Sequence, residues 1–144
     1  MLAKLARWLR ALGYDAAWEA EIADAELIRR GIAERCTVLT RDRRIPDEWW
    51  TDHVLLLESE APLDQLREVV TRLGLPWGER LFTRCTECNV LLEAVDRAEV
   101  AGAVPPGVRA TQNKFVRCPS CRRVYWQGSH TERMRRTLRE TLEL

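Results

Sequence analysis

Leucines recur at helical spacing in the first twelve positions of the chain. The apolar stripe consists of Leu2, Leu5, Leu9 and Leu12. The three basic residues of this segment lie off the stripe, so the pattern predicts an amphipathic helix that begins close to Met1. Gly13 predicts the C-terminal end of that helix, because glycine adopts the left-handed conformation found after helix C-termini.

From residue 14 to residue 75, short apolar runs alternate with further helical patterns. The pattern predicts strands over residues 14–18, 37–41 and 53–57, and a loop marked by Pro46 over residues 41–52. It predicts one helix from Asp24 to about Arg35 and another from Pro62 to near Gly74. Gly31 lowers the helix propensity of the first. Strands that alternate with helices predict an α/β fold with a parallel sheet.

The composition changes near residue 80, where cysteine pairs, short β-prone segments and the Pro105-Pro106-Gly107 turn begin to dominate. A chain of 144 residues can bury one ordinary core, or one modest core and a metal-held module. The sequence therefore predicts an α/β domain over residues 1–80, followed over residues 81–144 by a zinc ribbon with a basic C-terminal helix.

Four of the five cysteines form two CxxC pairs separated by 29 residues, namely Cys85 with Cys88 and Cys118 with Cys121. Zinc is bound tetrahedrally by thiolates, and a two-residue spacer lets both thiolates of a pair reach one ion. The alternatives are two disulfides or a redox motif, but redox motifs do not normally occur as two matched pairs. The sequence predicts one structural Zn²⁺ with no open coordination position, and an insertion in the ribbon over residues 95–108.

The fifth cysteine, Cys36, stands alone before a predicted strand, where we expect a buried small hydrophobic residue. The longest apolar stretches fall far short of the roughly 20 residues that cross a bilayer. Basic residues interrupt every apolar run of the first twelve positions, which argues against a signal peptide. We therefore expect a cytoplasmic protein with no membrane segment, in which cysteines stay reduced.

Two acidic residues could hold a catalytic metal ion. Asp42 directly follows a predicted strand, and open parallel sheets build their sites at the carboxyl ends of strands. Asp24, near the start of the preceding helix, could supply a second carboxylate for Mg²⁺ or Mn²⁺. Alternatively, Asp24 caps its helix and Asp42 forms a turn. Asp47 and Asp52 are weaker candidates, because each lies in the polar loop.

Charge is distributed unevenly, although the formal net charge is only +1. Nine basic residues lie between Arg109 and Arg139 against one acid, Glu132, whereas residues 45–68 carry seven acids against Arg67. If the protein binds a polyanion, the sequence predicts that the C-terminal segment does so.

Basic and aromatic residues lie together after the second cysteine pair, and this combination suits single-stranded RNA, because cations pair with phosphates and bases stack on rings. The candidate RNA-binding residues are Arg122, Arg123, Tyr125, Trp126, His130, Arg133, Arg135 and Arg136. Alternatively, Tyr125 and Trp126 pack the ribbon core, and His130 is structural. Trp49 and Trp50 either cover the sheet or form a binding platform.

Several motifs, taken in order, resemble the Mut-seven C-terminal RNase domain family, over nearly the whole chain. They are Met1 to Arg10, Leu12-Gly13-Tyr14-Asp15, Leu39-Thr40-Arg41-Asp42, Arg84-Cys85 with Cys88-Asn89, Val104-Pro105-Pro106, and Tyr125-Trp126 with Gly128-Ser129-His130. The resemblance implies a PIN-like α/β/α nuclease fold with an appended zinc ribbon. It also implies that Asp24 and Asp42 bind the divalent metal, and that the four paired cysteines bind zinc.

The resemblance further implies a strand before the first helix, ending in an aspartate that is a leading metal ligand. In this chain Met1 stands where the family has an internal residue. Either the chain is shortened or it is an inactive or remodelled member, and the 144-residue polypeptide is expected to cleave RNA little or not at all.

Three functions follow as hypotheses. The first is a metal-dependent ribonuclease that uses Asp24, Asp42 and an acid absent from this chain. The second is a non-catalytic RNA-binding or ribosome-associated protein. The third is the toxin or partner-binding role of other small PIN-like domains, which would require a protein partner.

Overall fold

A computed structural model describes residues 2–45 and 53–143. The chain groups into two compact units, each built from two stretches of sequence. Unit 1 consists of Met1–Leu5 and Ala17–Leu75, and unit 2 of Ala6–Ala16 and Pro76–Leu144. Within the described residues, no helix combines the length and the apolar character that crossing a bilayer requires.

The first helix, α1 (Ala3–Ala11), forms as the leucine stripe predicts. Leu5, Leu9 and Leu12 are all buried. Gly13 ends the helix with a φ of 98°, and a Cβ at this position would lie 2.5 Å from the Arg80 carbonyl oxygen. The residue must therefore be glycine both for its backbone conformation and for the close approach of the Arg80 backbone.

Unit 1 contains a parallel pair of strands and two further helices. The elements are α2 (Asp24–Ala33), β1 (Val38–Thr40), β2 (Val54–Leu56) and α3 (Pro62–Leu73). Leu39 lies opposite Leu55 in the parallel register. The predicted parallel arrangement of these two strands is confirmed. Pro62 starts α3 and Gly74 ends it with left-handed angles of 60° and 41°, as the sequence predicts.

Gly31 allows α2 to pack tightly on β1. A Cβ at Gly31 would lie 2.4 Å from Cγ2 of Val38. Val38 belongs to the same buried cluster as Ile28 and Ile45, against which Leu27 and Val54 pack. The glycine lowers intrinsic helix stability, but its missing side chain makes room for the strand.

The predicted strand over residues 14–18 is wrong, because this segment has no regular secondary structure and pairs with no strand among the described residues. Side chains take the place of a neighbouring strand. The Ala16 N–H donates to Oδ1 of Asn89 at 3.0 Å, and Nε of Arg10 donates to the Ala16 carbonyl at 2.8 Å.

The predicted loop over residues 41–52 is described only as far as Ile45. Arg44 and Ile45 already have helical backbone, so this part of the prediction is wrong. The reason is local, because Oδ1 of Asp42 accepts the Arg44 N–H at 3.0 Å and favours a turn there. The predictions for Asp47, Trp49, Trp50 and Asp52 lie outside the described residues.

Unit 2 is built around an antiparallel sheet. Its elements are β3 (Glu93–Val95), a 3-10 turn (Arg97–Val100), α4 (Pro106–Thr111), β4 (Phe115–Arg117), β5 (Val124–Tyr125) and α5 (Ser129–Leu142), and the strand order is β3-β4-β5. The predicted insertion thus lies between β3 and β4. It brings its own apolar cluster, in which Val100, Val104 and Phe115 are buried and Trp126 packs against them.

Two side chains of α3 hold the segment that follows β2. The carboxylate of Glu68 accepts the backbone N–H groups of Glu58 and Ser59 at 3.0 to 3.1 Å, and forms an ion pair with Arg72 at 3.0 Å. The buried Gln65 donates from Nε2 to the Ser59 and Glu60 carbonyls. Burial raises the pKa of Glu68, but the two N–H groups and Arg72 outweigh it, and the pKa lies below its usual value of 4.5.

Glu68→Gln should destabilise the protein by about 1 kcal/mol at neutral pH, since it removes a charge that accepts two backbone hydrogen bonds. A lowered pKa means that the carboxylate stabilises the folded state above its unfolded pKa near 4.5, and that this stability is lost as the pH falls through the folded pKa. The difference between wild type and variant in urea unfolding free energy should therefore shrink below about pH 4.5. Glu60→Gln is the matched control, because Glu60 is exposed and paired only at the surface. A difference independent of pH would contradict the role of the charge.

Candidate functional site

The four paired cysteines come together in unit 2. Their Sγ atoms all lie within 4.8 Å of one another, and none of them forms a disulfide. Cys85 and Cys118 are fully buried, Cys88 is half-buried and Cys121 is exposed. In the described part of the chain, this is the single group of three or more potential metal ligands close enough to share an ion. The predicted grouping is confirmed, and the disulfide alternative is wrong.

The first cysteine pair lies in a tight turn. The Asn89 N–H donates to the Cys85 carbonyl at 2.9 Å, and the Cys88 N–H points to Sγ of Cys85 at 3.4 Å. The Cys85 N–H donates to the Val90 carbonyl at 2.8 Å. Asn89 has a φ of 65°, in the left-handed region where asparagine is among the more tolerant residues.

The second pair repeats this turn. The Arg122 N–H donates to the Cys118 carbonyl at 2.9 Å, the Cys121 N–H lies 3.4 Å from Sγ of Cys118, and Arg122 has a φ of 66°. The Cys118 N–H donates to the Arg123 carbonyl at 2.9 Å. Two matched turns therefore present two sulfur atoms each to a common centre. Sequence reasoning identified the cysteines but not the left-handed residues after them.

The surroundings of Cys118 favour its thiolate form. Burial raises the pKa of the Cys118 thiol, but the backbone N–H groups of Cys121 and Ser120 outweigh it and lower the pKa to about 7. Sγ of Cys85 lies 3.2 Å from the Tyr125 hydroxyl. Burial and the neighbouring Cys85 raise the pKa of Tyr125 to about 12, so this hydroxyl remains protonated and can donate. Four soft donors in a closed cluster fit a structural Zn²⁺ ion.

Asp42 lies two residues beyond the carboxyl end of β1. Its N–H donates to Oγ1 of Thr40 at 3.0 Å, and its carboxylate accepts from the backbone N–H and the guanidinium of Arg44. The side-chain hydrogen bond from Arg44 lowers the pKa of Asp42, and the backbone hydrogen bond adds to it. The group is therefore anionic at neutral pH, and it also forms the turn that was the alternative interpretation of this residue.

Asp24 is the first residue of α2 and is half-buried. The helix cap is Ala23, and no side chain caps the helix, so the alternative interpretation of Asp24 as the cap is wrong. Its carboxylate forms no hydrogen bond or ion pair with any residue in the described ranges. Among the described residues, no partner would therefore compete with a metal ion for this half-buried carboxylate.

The candidate RNA-binding residues divide into two groups by exposure. Arg122, Arg123, His130, Arg133 and Arg136 are exposed. Arg123 lies 3.5 Å from Glu87, whereas Arg133 and Arg136 form no ion pair with a described acid.

The other candidates, Tyr125, Trp126 and Arg135, are half-buried. Trp126 packs on Phe115 with ring centroids 6.5 Å apart, and Tyr125 contacts Cys85, so the aromatic residues do pack the core of unit 2. The Arg135 guanidinium lies 5.4 Å from the Phe82 ring centre and donates to Gln127 at 2.7 Å.

The two units carry opposite charge. Unit 1 contains 9 basic and 13 acidic residues, a formal net charge of −4, and unit 2 contains 14 basic and 9 acidic residues, a formal net charge of +5. The small net charge of the whole chain therefore conceals an acidic unit with Asp24 and Asp42 and a basic unit with the cysteine cluster.

Cys36 is exposed, contrary to the expectation of a buried residue. It lies between α2 and β1 rather than inside the strand, and its Sγ is 3.6 Å from the Glu34 carbonyl.

The fold and the cluster define a mixed α/β protein with a four-cysteine site suited to zinc. The family model described as the Mut7-C RNAse domain matches residues 1–138, nearly the whole chain, and the chain belongs to this family. No curated protein and no solved structure matches the chain significantly. Membership indicates a function connected with RNA cleavage or RNA binding.

Proposed function

We propose that the protein is a metal-dependent ribonuclease of PIN-like fold, in which Asp24 and Asp42 bind Mg²⁺ or Mn²⁺ and unit 2 binds RNA. Membership of an RNase domain family supports the substrate class. The observation that carries the catalytic assignment is the position of Asp42, an anionic carboxylate directly beyond a parallel strand.

The chemistry of the two acids suits this role. Hard oxygen ligands from one or two carboxylates are what Mg²⁺ and Mn²⁺ prefer in phosphate-handling sites. Such an ion, when bound, activates water and offsets the charge of the phosphodiester transition state. The carboxylate of Asp24 has no described partner to give up, whereas Asp42 would have to exchange its contacts with the Arg44 guanidinium for the metal.

The basic residues of unit 2 would bind the RNA backbone. Arg122, Arg133 and Arg136 are exposed and form no ion pair with a described acid, so their charges are available to phosphates. Arg123, Arg135 and His130 are proposed to contribute at the edges of this surface. Tyr125 and Trp126 would act mainly by packing the unit that presents these cations.

The test is cleavage of single-stranded RNA by zinc-loaded protein with and without added Mg²⁺ or Mn²⁺. We expect cleavage to require one of these ions. Cleavage that is equally fast without either ion would contradict the proposal.

A second candidate function is RNA binding without cleavage. The observation that favours it is the occupation of the Asp42 carboxylate by Arg44, with Nε 3.2 Å from Oδ1 and Nη2 3.0 Å from Oδ2. In that case Asp42 only shapes the turn, and unit 2 carries the function.

RNA affinity should fall steeply with added salt if unit 2 binds through phosphates. The expected slope of log affinity against log salt is about 0.7 per phosphate contact for single strands. Arg133→Ala with Arg136→Ala should weaken binding about equally for all sequences and should reduce the slope by about 1 or more. Fluorescence anisotropy at several salt concentrations measures both quantities.

The matched control is Arg29→Ala with Arg30→Ala, which removes the same charge from unit 1. These two arginines are exposed and paired with Glu26 and Glu19, so the change should leave RNA affinity nearly unaltered. Equal losses in the two double variants would show that overall charge, rather than unit 2, governs binding.

A further inference from the structure

The first cysteine turn contacts a distant stretch of sequence that the family resemblance marked but that has no role in the proposed chemistry. Asn89, which follows Cys88, accepts the Ala16 N–H on Oδ1 at 3.0 Å and donates from Nδ2 to Asp15 at 2.7 Å. These partners lie 73 and 74 residues away along the chain. One side chain at the end of the turn therefore holds both the backbone and a carboxylate of residues 15–16.

Arg10 makes the reciprocal contact from α1. Its Nη1 donates to the Thr86 carbonyl at 2.8 Å, while its Nε donates to the Ala16 carbonyl at 2.8 Å. Thr86 and Glu87 are the two residues between the ligands Cys85 and Cys88, and Glu87 also forms an ion pair with Arg7. The guanidinium of Arg10 thus joins the interior of the turn to the same segment that Asn89 holds.

The segment after α1 belongs to no helix and to no described sheet. Tyr14 is held separately, because its N–H donates to the Leu9 carbonyl and its hydroxyl donates to the Pro76 carbonyl. Ala16 is half-buried. Both backbone polar groups of Ala16 are satisfied by side chains, its N–H by Asn89 and its carbonyl by Arg10. Breaking these bonds would leave partly buried polar groups without partners, which is unfavourable.

We propose that the first cysteine turn, when it binds zinc, is a metal-dependent latch that holds the end of α1 and residues 15–16, through Asn89 and Arg10. The backbone angles of Asn89 and the positions of the Thr86 and Glu87 carbonyls belong to the turn that Cys85 and Cys88 close. A turn of this size is ordered by its metal, because metal binding supplies the free energy for folding it. The latch depends on zinc at the cluster and is independent of the proposed ribonuclease activity.

Arg84 and Phe82 extend the latch from the other side of the turn. Nη1 of Arg84 donates to the Asn89 carbonyl at 2.6 Å, and the Phe82 N–H donates to the Ala11 carbonyl at 2.8 Å. Arg84 therefore adds a side-chain contact to the turn itself, and Phe82 adds a backbone contact to the end of α1. Arg10, Asp15 and Asn89 are positioning residues rather than catalytic ones.

The experiment is amide hydrogen exchange in the zinc-loaded full chain, comparing wild type with Asn89→Gly. Glycine accepts the left-handed angles of this position, so the turn and its zinc should be retained while the side-chain contacts are lost. We expect the Ala16 amide to exchange about tenfold faster or more, with one zinc still bound. Asn113→Ala is the control, because Asn113 is exposed and bonds only Arg97, and it should leave Ala16 unchanged.

A second variant covers the possibility that Asn89→Gly loses zinc. Arg10→Met keeps an unbranched apolar stem on α1 and removes the donors to Ala16 and Thr86. It should accelerate exchange of the Ala16 amide to a similar degree. In wild type, stepwise chelation should remove the protection of the Ala16 and Asn89 amides together. The proposal would be overturned if the Ala16 amide stays protected in both variants. It would also be overturned if, during chelation of wild type, the Ala16 amide stays protected after the Asn89 amide has become labile.

Discussion

Cys118→Ser should yield a protein that holds no stoichiometric zinc and whose unit 2 unfolds well before unit 1. Cys118 is fully buried, and the backbone N–H groups of Cys121 and Ser120 lower its pKa to about 7, which favours the thiolate that zinc binds. A serine hydroxyl is a hard and weakly acidic donor, so three thiolates would be left to hold the ion. Structural zinc contributes about 10 to 16 kcal/mol to the folding of small metal modules. Cys118→Ser should lose a large part of this folding free energy.

Elemental analysis and chelator competition measure the zinc, and hydrogen exchange resolves the two units. Wild type should contain one zinc per chain. Cys36→Ser is the matched control, because Cys36 is exposed and lies outside the cluster, and it should retain the metal and the stability of wild type. Unchanged zinc content in Cys118→Ser, or equal zinc loss in the two variants, would show that the cluster is not the zinc site.

Asp42→Asn should lower metal-dependent RNA cleavage by about 100-fold or more while leaving zinc content and folding intact. Divalent metals at phosphoryl centres contribute several kcal/mol of transition-state stabilisation, and each 1.36 kcal/mol is a factor of about ten in rate. An asparagine side chain keeps an oxygen that can accept the Arg44 N–H, so the turn after β1 should persist. The change thus removes the charge of the proposed metal ligand, together with its ion pair to the exposed Arg44 guanidinium.

Cleavage rates in Mg²⁺ and Mn²⁺ should be compared for wild type and Asp42→Asn, with calorimetry of Mn²⁺ binding as an independent measurement. Asp64→Asn is a suitable control, because Asp64 is an exposed acid of the same unit on α3. Full activity in the Asp42→Asn protein would assign the chemistry to other residues. RNA binding by wild type without any cleavage would favour the second candidate function.

Features that depend on neighbouring residues could be predicted from the amino-acid sequence. The leucine stripe of α1, the Pro62 start and the Gly74 end of α3, and the apolar runs of β1 and β2 all follow from local periodicity and backbone preference. The paired cysteines follow from the geometry of zinc, since a two-residue spacer is a local property of the ligand set. These features agree with family membership over nearly the whole chain.

The hydrogen bonds that order the irregular segments could be found only from the three-dimensional structure. Residues 14–18 resemble a strand in sequence, but Asn89, more than 70 residues away, satisfies Ala16 in place of a neighbouring strand. Gly31 has a poor helix propensity, but its missing side chain makes room for Val38. Glu68 has the sequence pattern of a surface acid, but its carboxylate accepts the Glu58 and Ser59 N–H groups. In each case the deciding partner lies on another segment or element of the chain. Periodicity describes which face of an element is apolar, whereas the partner of a polar group or the space beside a glycine depends on which distant residues the fold brings near.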